Sequence, residues 1–168
     1  MSVLVTAASR HGSTSEIAQW IAEELQHAGL DCDVREPRDV HEIEQYDAVI
    51  VGSAVYVGQW LTEAKDFVER FATQLSQRHV WLFSSGLADT PSDSSGGTNA
   101  TRTRMELVGA AGHRHFPGKL DVLQLSLAER AAIMAARGKY GDSRDPRAVR
   151  EWAQHIAQAV NHPEAVSA

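Results

Sequence analysis

The segment VLVTAASRHGSTSEIAQWIAEEL, residues 3–25, decides the fold, because its hydrophobic period changes once, at a polar turn. Residues 3–8 form a short apolar run with β-branched members and almost no polar alternation, the pattern of a strand covered on both faces. From Glu16 onward the apolar positions recur at Ile17, Ile21 and Leu25, with Ala18, Ala22 and Ala28 beside them, while Glu16, Gln19, Glu23, Glu24 and Gln26 fall elsewhere. That spacing puts one apolar stripe on a helix. Ser13 and Glu16 stand at capping-box spacing, and Gly29 stands where a left-handed residue closes a helix. Between strand and helix lie Ser9, Arg10, His11, Gly12, Ser13 and Thr14. Hydroxyls on Ser9, Ser13 and Thr14, a glycine that lets the backbone approach closely, and the free amides of a helix start are what a phosphate monoester requires. Arg10 or His11 adds positive charge.

The same alternation continues along the chain. Residues 47–53 (DAVIVGS) read as a strand, followed by a helix from about Thr62 whose stripe is Ala64, Phe67, Val68, Phe71, Ala72 and Leu75. Residues 79–84 (HVWLFS) read as a strand and 100–110 as a helix. A further strand is expected around 112–120, where Pro117 and Gly118 suit an edge or a strand end. Asp145 and Pro146 open a last helix carrying Val149, Trp152, Ala153, Ile156 and Val160. Residues 30–36 supply a weaker strand between the first helix and residues 47–53. Five strands alternating with helices imply a parallel α/β sheet covered on both sides. Two excursions interrupt it: residues 88–103, polar and rich in Ser, Thr and Gly, expected as a surface loop, and 127–137 with the following GKYGDSRDP.

Ligands of open parallel sheets bind outside the carboxyl ends of the strands. Three loops are expected to leave from that edge. The first is the turn 9–14; the second is Ser53, Ala54, Val55, Tyr56, Val57 and Gly58, running on to Trp60; the third starts with Ser84, Ser85, Gly86 and Leu87. Tyr56 and Trp60 offer flat apolar faces, with Tyr56 favoured for contact with a ring over Trp60, whose position also suits the following helix. A phosphate on one side and an aromatic face on the other describe a mononucleotide with a large planar ring. His113 and His115 alternate on one strand, but two histidines without a placed third ligand make no metal site, and Cys32 reads as packing.

The turn SRHGST at 9–14 resembles the flavodoxin phosphate loop, usually Ser/Thr-x-Thr-Gly-x-Thr, with His11 departing from the third position. The order of elements is similar over essentially the whole chain. Within that superfamily SRHGST and GSAVYVG at 52–58 are more similar to the menaquinone-dependent protoporphyrinogen oxidases, with loops like Thr-Arg-Asp-Gly-Gln-Thr and Gly-Ala-Ser-Ile-x-Tyr-Gly. GKYGDSRDPRAVREWA at 138–153 resembles the closing helix of that branch. The resemblance implies a flavodoxin-like three-layer sandwich, with a five-stranded parallel sheet in the order 2-1-3-4-5. It implies noncovalently bound FMN, its phosphate on the first loop and its isoalloxazine between the second and third. It implies electron transfer, with a quinone or a protein as redox partner and a porphyrinogen as a substrate to test.

Composition bounds the rest. At 168 residues and 43% hydrophobic content the chain is expected to form one domain, residues 1–168, as a monomer or homodimer. A net charge of −6, from 16 basic and 22 acidic residues, disfavours nucleic acid and anionic lipid and suits docking on basic partners. Cys32 alone forms no internal disulfide, and with neither a membrane-span pattern nor a signal-peptide pattern the expected location is the cytoplasm. No Gly-x-Gly-x-x-Gly follows the first strand, no Walker motif occurs, and Ser53 lacks the Gly-x-Ser-x-Gly elbow of a hydrolase. The third strand ends in Val51-Gly52-Ser53 without the carboxylate a phosphoacceptor domain needs. Three readings stay open: an oxidoreductase passing electrons from a reduced substrate through FMN to a quinone, an acidic electron carrier, and a flavin-free interaction subunit.

Overall fold

The computed structural model describes residues 1–56, 58–86, 99–120, 127–128, 131, 141–142 and 144–165. Strand β1 (Ser2–Ala8) leads to helix α1 (Ser13–His27), then β2 (Asp31–Arg35) and a 3-10 turn at Pro37–Asp39. Next come β3 (Ala48–Tyr56), the short β4 (Gln59–Trp60), α2 (Thr62–Arg70), α3 (Ala72–Leu75) and β5 (His79–Gly86). The chain continues with α4 (Asn99–Val108), β6 (Gly112–Pro117), β7 (Lys119–Leu120), β8 (Gly141–Asp142), α5 (Pro146–Asn161) and a 3-10 turn at Pro163–Ala165. The main sheet runs β2-β1-β3-β5-β6 with every neighbouring pair parallel. Counting its five parallel strands in chain order, this is the expected 2-1-3-4-5.

Strand alternation sorts the core into two layers. Val3, Val5 and Ala7 of β1, Ala48 and Ile50 of β3, and Trp81 and Phe83 of β5 pack against Ile17, Ile21 and Leu25 of α1 and Val149, Ala153, Ile156 and Val160 of α5. Leu4, Val49, Val51, Val80 and Leu82 point the other way, onto Ala64, Phe67 and Val68 of α2, Leu75 of α3 and Val108 of α4. Phe83 is packed tightly enough that a Cβ on Gly52 would stand 2.1 Å from its Cζ, so only glycine fits there.

Several expected boundaries move, each for a local reason. α1 begins at Ser13, one residue before the start that a Ser13 cap would give, and its N-cap is Gly12 at φ 87° with no side-chain cap, so the Ser13–Glu16 capping box does not form. Glu16 turns instead to Arg144. Gly29 closes the helix at φ 87° as expected, but Ala28 is the C-cap and is exposed, outside the apolar stripe. The helix expected from Thr62 is broken at Phe71, which divides α2 from α3. β3 and β5 run two to three residues beyond their expected ends at 53 and 84 because Ser53 and Ala54 still pair with Ser84 and Ser85. The strand expected over 112–120 divides: β6 pairs with β5, whereas β7 pairs antiparallel with β8. Asp145 caps α5 as its sequence requires, accepting from the amides of Arg147 at 3.0 Å and Ala148 at 3.4 Å. The loop expected from residue 88 lies outside the described residues up to 98, as does most of the excursion after 127.

Candidate functional site at the carboxyl edge of the sheet

β1, β3 and β5 end side by side, and the β1–β3 register pairs Ala8 with Ser53. The turn 9–14 therefore lies beside the end of β3. Gly12 supplies the left-handed conformation that turns the chain into α1, and its amide donates to Ser9 Oγ at 3.0 Å. With no side chain capping the helix, its first amides face the turn. Thr14 is 1% exposed, and its Oγ1 has no hydrogen-bond partner among the described residues. Buried hydroxyls are ordinarily satisfied, so an orphaned one at the mouth of a helix marks a place where an acceptor belongs.

Tyr56, at the end of β3, is half-buried. Arg10 places its Cζ 4.9 Å from the Tyr56 ring centroid, and the His11 ring meets Tyr56 edge-on at 6.5 Å. The turn and the aromatic face predicted from sequence are thus brought together. The second segment is less a loop than a hairpin: Val55 pairs with Trp60 and Tyr56 with Gln59, and Gly58 at φ 72° makes the turn. Val57 and Leu87 lie outside the described residues. Ala54 is buried in the strand between Ser53 and Val55.

The hydroxyls of Ser53 and Ser84 are committed inside the protein. Ser53 Oγ accepts from the Leu61 amide at 2.9 Å and donates to the Ala54 carbonyl at 2.8 Å, fastening the base of the hairpin. Ser84 Oγ accepts from Trp60 Nε1 at 2.8 Å and lies 2.9 Å from His113 Nε2. With the Ser84 hydroxyl donating a hydrogen bond to Nε2, His113 is neutral with its proton on Nδ1, and Trp60 Nε1, Ser84 Oγ and His113 Nε2 are each partnered. Burial first, then His115 and Arg104, depress the His113 pKa to about 4, which agrees with a neutral ring. Trp60 is a buried brace, its ring covered by Arg104 with Cζ at 4.6 Å. Ser85 is buried on the opposite face of β5, and at Gly86 a Cβ would meet Val55 at 3.3 Å and His115 at 3.5 Å, so the third segment passes close under the hairpin.

Sequence reasoning missed Arg144. Its side chain is 6% exposed and joins Glu16 Oε2 at 2.7 Å on the first turn of α1. The two residues are 128 positions apart, and no local pattern links them. Among the described residues no three His, Cys, Asp or Glu side chains form a metal-binding group, and no helix is long and apolar enough to cross a membrane. Cys32 is a buried thiol, its pKa pushed up to about 12 by burial and then by Asp33 and Asp31, which disfavours the thiolate.

The family described as "Flavodoxin domain" matches residues 4–146, from the first strand to the opening of α5. The chain belongs to the flavodoxin domain family. As a flavodoxin domain it is an FMN-type redox protein, and the orphaned Thr14 hydroxyl at an uncapped helix start fits the phosphate of that cofactor. The protoporphyrinogen IX dehydrogenase [quinone] of Escherichia coli is 33% identical over 92 residues, 52% of this chain and 49% of the relative. The chain thus spans about half the length of the curated relatives it matches. A flavodoxin from Pseudomonas aeruginosa, solved as a cysteine-to-serine variant, superposes with a TM-score of 0.61 at 15% identity, over 96% of this chain and 99% of that one. Rubredoxin oxygen:oxidoreductase from Desulfovibrio gigas gives 0.66 at 18% identity, covering 95% of this flavodoxin domain but 36% of that larger chain. At such identities these two likenesses bear on the fold alone.

Proposed function

We propose that this flavodoxin domain is an FMN-dependent oxidoreductase that takes electrons from a reduced organic substrate, a porphyrinogen being the first to test, and delivers them to a quinone. The observation that carries the reading is the turn 9–14 brought against Tyr56 at the sheet edge. A buried Thr14 hydroxyl, unpartnered among the described residues, stands at the uncapped start of α1, and the Tyr56 ring lies against Arg10 and His11 of the same turn. The partial match to a quinone-linked protoporphyrinogen dehydrogenase supports the choice of substrates.

When bound, FMN supplies the capacity to accept a hydride and release electrons singly or in pairs. The chain's own residues bind and orient. Ser9, Ser13, Thr14 and the first amides of α1 hold the phosphate, with Gly12 allowing close approach and Arg10 or His11 balancing charge. Tyr56 presents a flat face to the ring system, and Ala54, Val55, Gly58 and Gly86 shape the walls around it. Ser53 and Ser84 act one step back, since their hydroxyls fix the hairpin that carries Tyr56.

A second reading, an electron carrier between protein partners, is favoured by the net charge of −6, which suits docking on basic surfaces. Kinetics separate the two. Protein loaded with FMN and reduced anaerobically is mixed with menaquinone analogues and, separately, turned over with porphyrinogen as donor. An oxidoreductase gives rates that saturate with quinone and measurable porphyrinogen oxidation. Linear dependence on every quinone, without porphyrinogen turnover, rejects the enzyme in favour of the carrier.

A further inference from the structure

β6 is the edge strand of the main sheet, yet it holds one end of a hydrogen-bonded chain that finishes in the hairpin carrying Tyr56. His113 lies opposite Leu82 in the ladder, and Ser84 stands two residues further along β5 on the same face, with its Oγ 2.9 Å from His113 Nε2. The same Oγ accepts from Trp60 Nε1 at 2.8 Å. Trp60 in turn pairs with Val55, the residue before Tyr56. An edge strand is thus joined to the wall proposed for the ring. Donor counting fixes the direction of each bond: an indole N–H only donates, so Ser84 Oγ accepts from Trp60, and its own proton needs a second partner. Among the described residues that partner is His113 Nε2. A proton on Nε2 would leave Ser84 accepting twice, with its O–H unpaired in a residue that is 4% exposed. The chain closes only around an unprotonated Nε2.

The surroundings hold the ring in that state. Burial disfavours the imidazolium first, and the charged or titratable groups acting on His113 among the described residues, His115 of its own strand and Arg104 of α4, both oppose a second positive charge. Arg104 is itself fixed over Trp60, and Glu69 of α2 acts on Arg104. We propose that His113 is a positioning residue for the flavin ring: its unprotonated Nε2 holds the Ser84 hydroxyl against Trp60 and so seats the hairpin, with the consequence that protonation of His113 and binding of the isoalloxazine oppose one another. This rests on the FMN reading for the identity of the ring, and it adds that ring affinity depends on one proton in the edge strand. Linkage is reciprocal, so bound flavin lowers the His113 pKa by about one unit for each tenfold by which the protonated protein binds flavin more weakly.

The test titrates FMN and riboflavin on wild type, His113→Gln, His113→Leu and His155→Gln. Glutamine keeps an acceptor for Ser84 but takes no proton, leucine removes the acceptor, and His155 is an exposed histidine of α5 that serves as control. At neutral pH His113→Leu should bind both flavins about tenfold more weakly, as for one lost hydrogen bond, while His113→Gln stays within about twofold of wild type. The phosphate of FMN titrates at about pH 6, but equally in every variant, so differences from wild type isolate His113. As pH falls to about 4, the His113 value, wild type and His155→Gln should lose about twofold more affinity than His113→Gln does, for both flavins. By NMR, the His113 ring should titrate about one unit lower in flavin-saturated than in flavin-free wild type. The positioning role is overturned by a His113→Leu variant with lowered Tm but wild-type flavin affinity, by an effect confined to FMN, by a pH profile that His113→Gln shares with wild type, or by a His113 pKa that flavin leaves unchanged. Each of those results leaves the FMN reading standing. Wild type that binds neither flavin overturns that reading, and the proposal with it.

Discussion

Thr14→Val removes one oxygen and keeps the branched shape, and it should change stability in opposite directions depending on whether FMN is bound. Thr14 is 1% exposed and its Oγ1 lacks a partner among the described residues. An unsatisfied buried hydroxyl costs about 1–3 kcal/mol. Taking the low end, because the neighbourhood relaxes, valine should stabilise the flavin-free protein by about 1 kcal/mol, or about 2–4 °C in Tm for a chain of this size. With FMN bound the same oxygen becomes a donor to a charged phosphate, a contact worth about 1.5–3 kcal/mol. The variant should therefore bind FMN about ten- to a hundredfold more weakly and bind riboflavin as wild type does. Differential scanning calorimetry without flavin, and with saturating FMN or riboflavin, reads all three quantities. Thr6→Val is the control, since Thr6 Oγ1 is equally buried and unpartnered but lies within β1, where Thr6 pairs with Val51. It should gain stability and leave the FMN to riboflavin ratio unchanged. A lower Tm for flavin-free Thr14→Val, or parallel loss of both flavins, refutes the assignment of Thr14 to the phosphate.

The brace behind the hairpin makes its own predictions. Ser84→Ala strands Trp60 Nε1 and His113 Nε2, so it should destabilise the protein by about 1–3 kcal/mol and weaken FMN and riboflavin alike, with a change in Trp60 fluorescence. His113 has a folded pKa near 4, below its ordinary 6.5, so the unfolded chain binds the extra proton more readily. Stability from this group is fully present above pH 6.5 and is lost as pH falls towards 4; a Tm profile over that window should be flatter in His113→Gln. Gly52→Ala sets a Cβ 2.1 Å from the Phe83 ring and should cost about 1–3 kcal/mol through overpacking, seen as a lower urea midpoint.

The parallel sheet and its order were legible because each strand is a short apolar run and each helix a striped one, and those two periods cannot be exchanged. The turn 9–14 was legible because glycine and hydroxyl residues stand together at a change of period. Exact ends were not. Whether β3 stops at Ser53 or continues to Tyr56 depends on pairing with β5 and β4, which a single strand's pattern does not carry. Gly12 displaced the expected Ser13 cap because a left-handed glycine turns the chain without a side-chain bond, and Glu16 found a distant arginine instead. The hydrogen bonds of Ser53 and Ser84 were hidden for a similar reason: a serine at a strand end looks the same in sequence whether its hydroxyl serves a ligand, the Leu61 amide or the Trp60 ring.

The most direct test of a phosphate site at the start of α1 is a fluorescence titration of flavin-free wild-type protein with FMN, FAD and riboflavin under one set of conditions. One FMN should bind per chain, and the loss of at least two charge-assisted hydrogen bonds should leave riboflavin weaker by about a hundredfold or more. Riboflavin binding as tightly as FMN, FAD binding in preference to both, or no flavin binding at all would contradict the site.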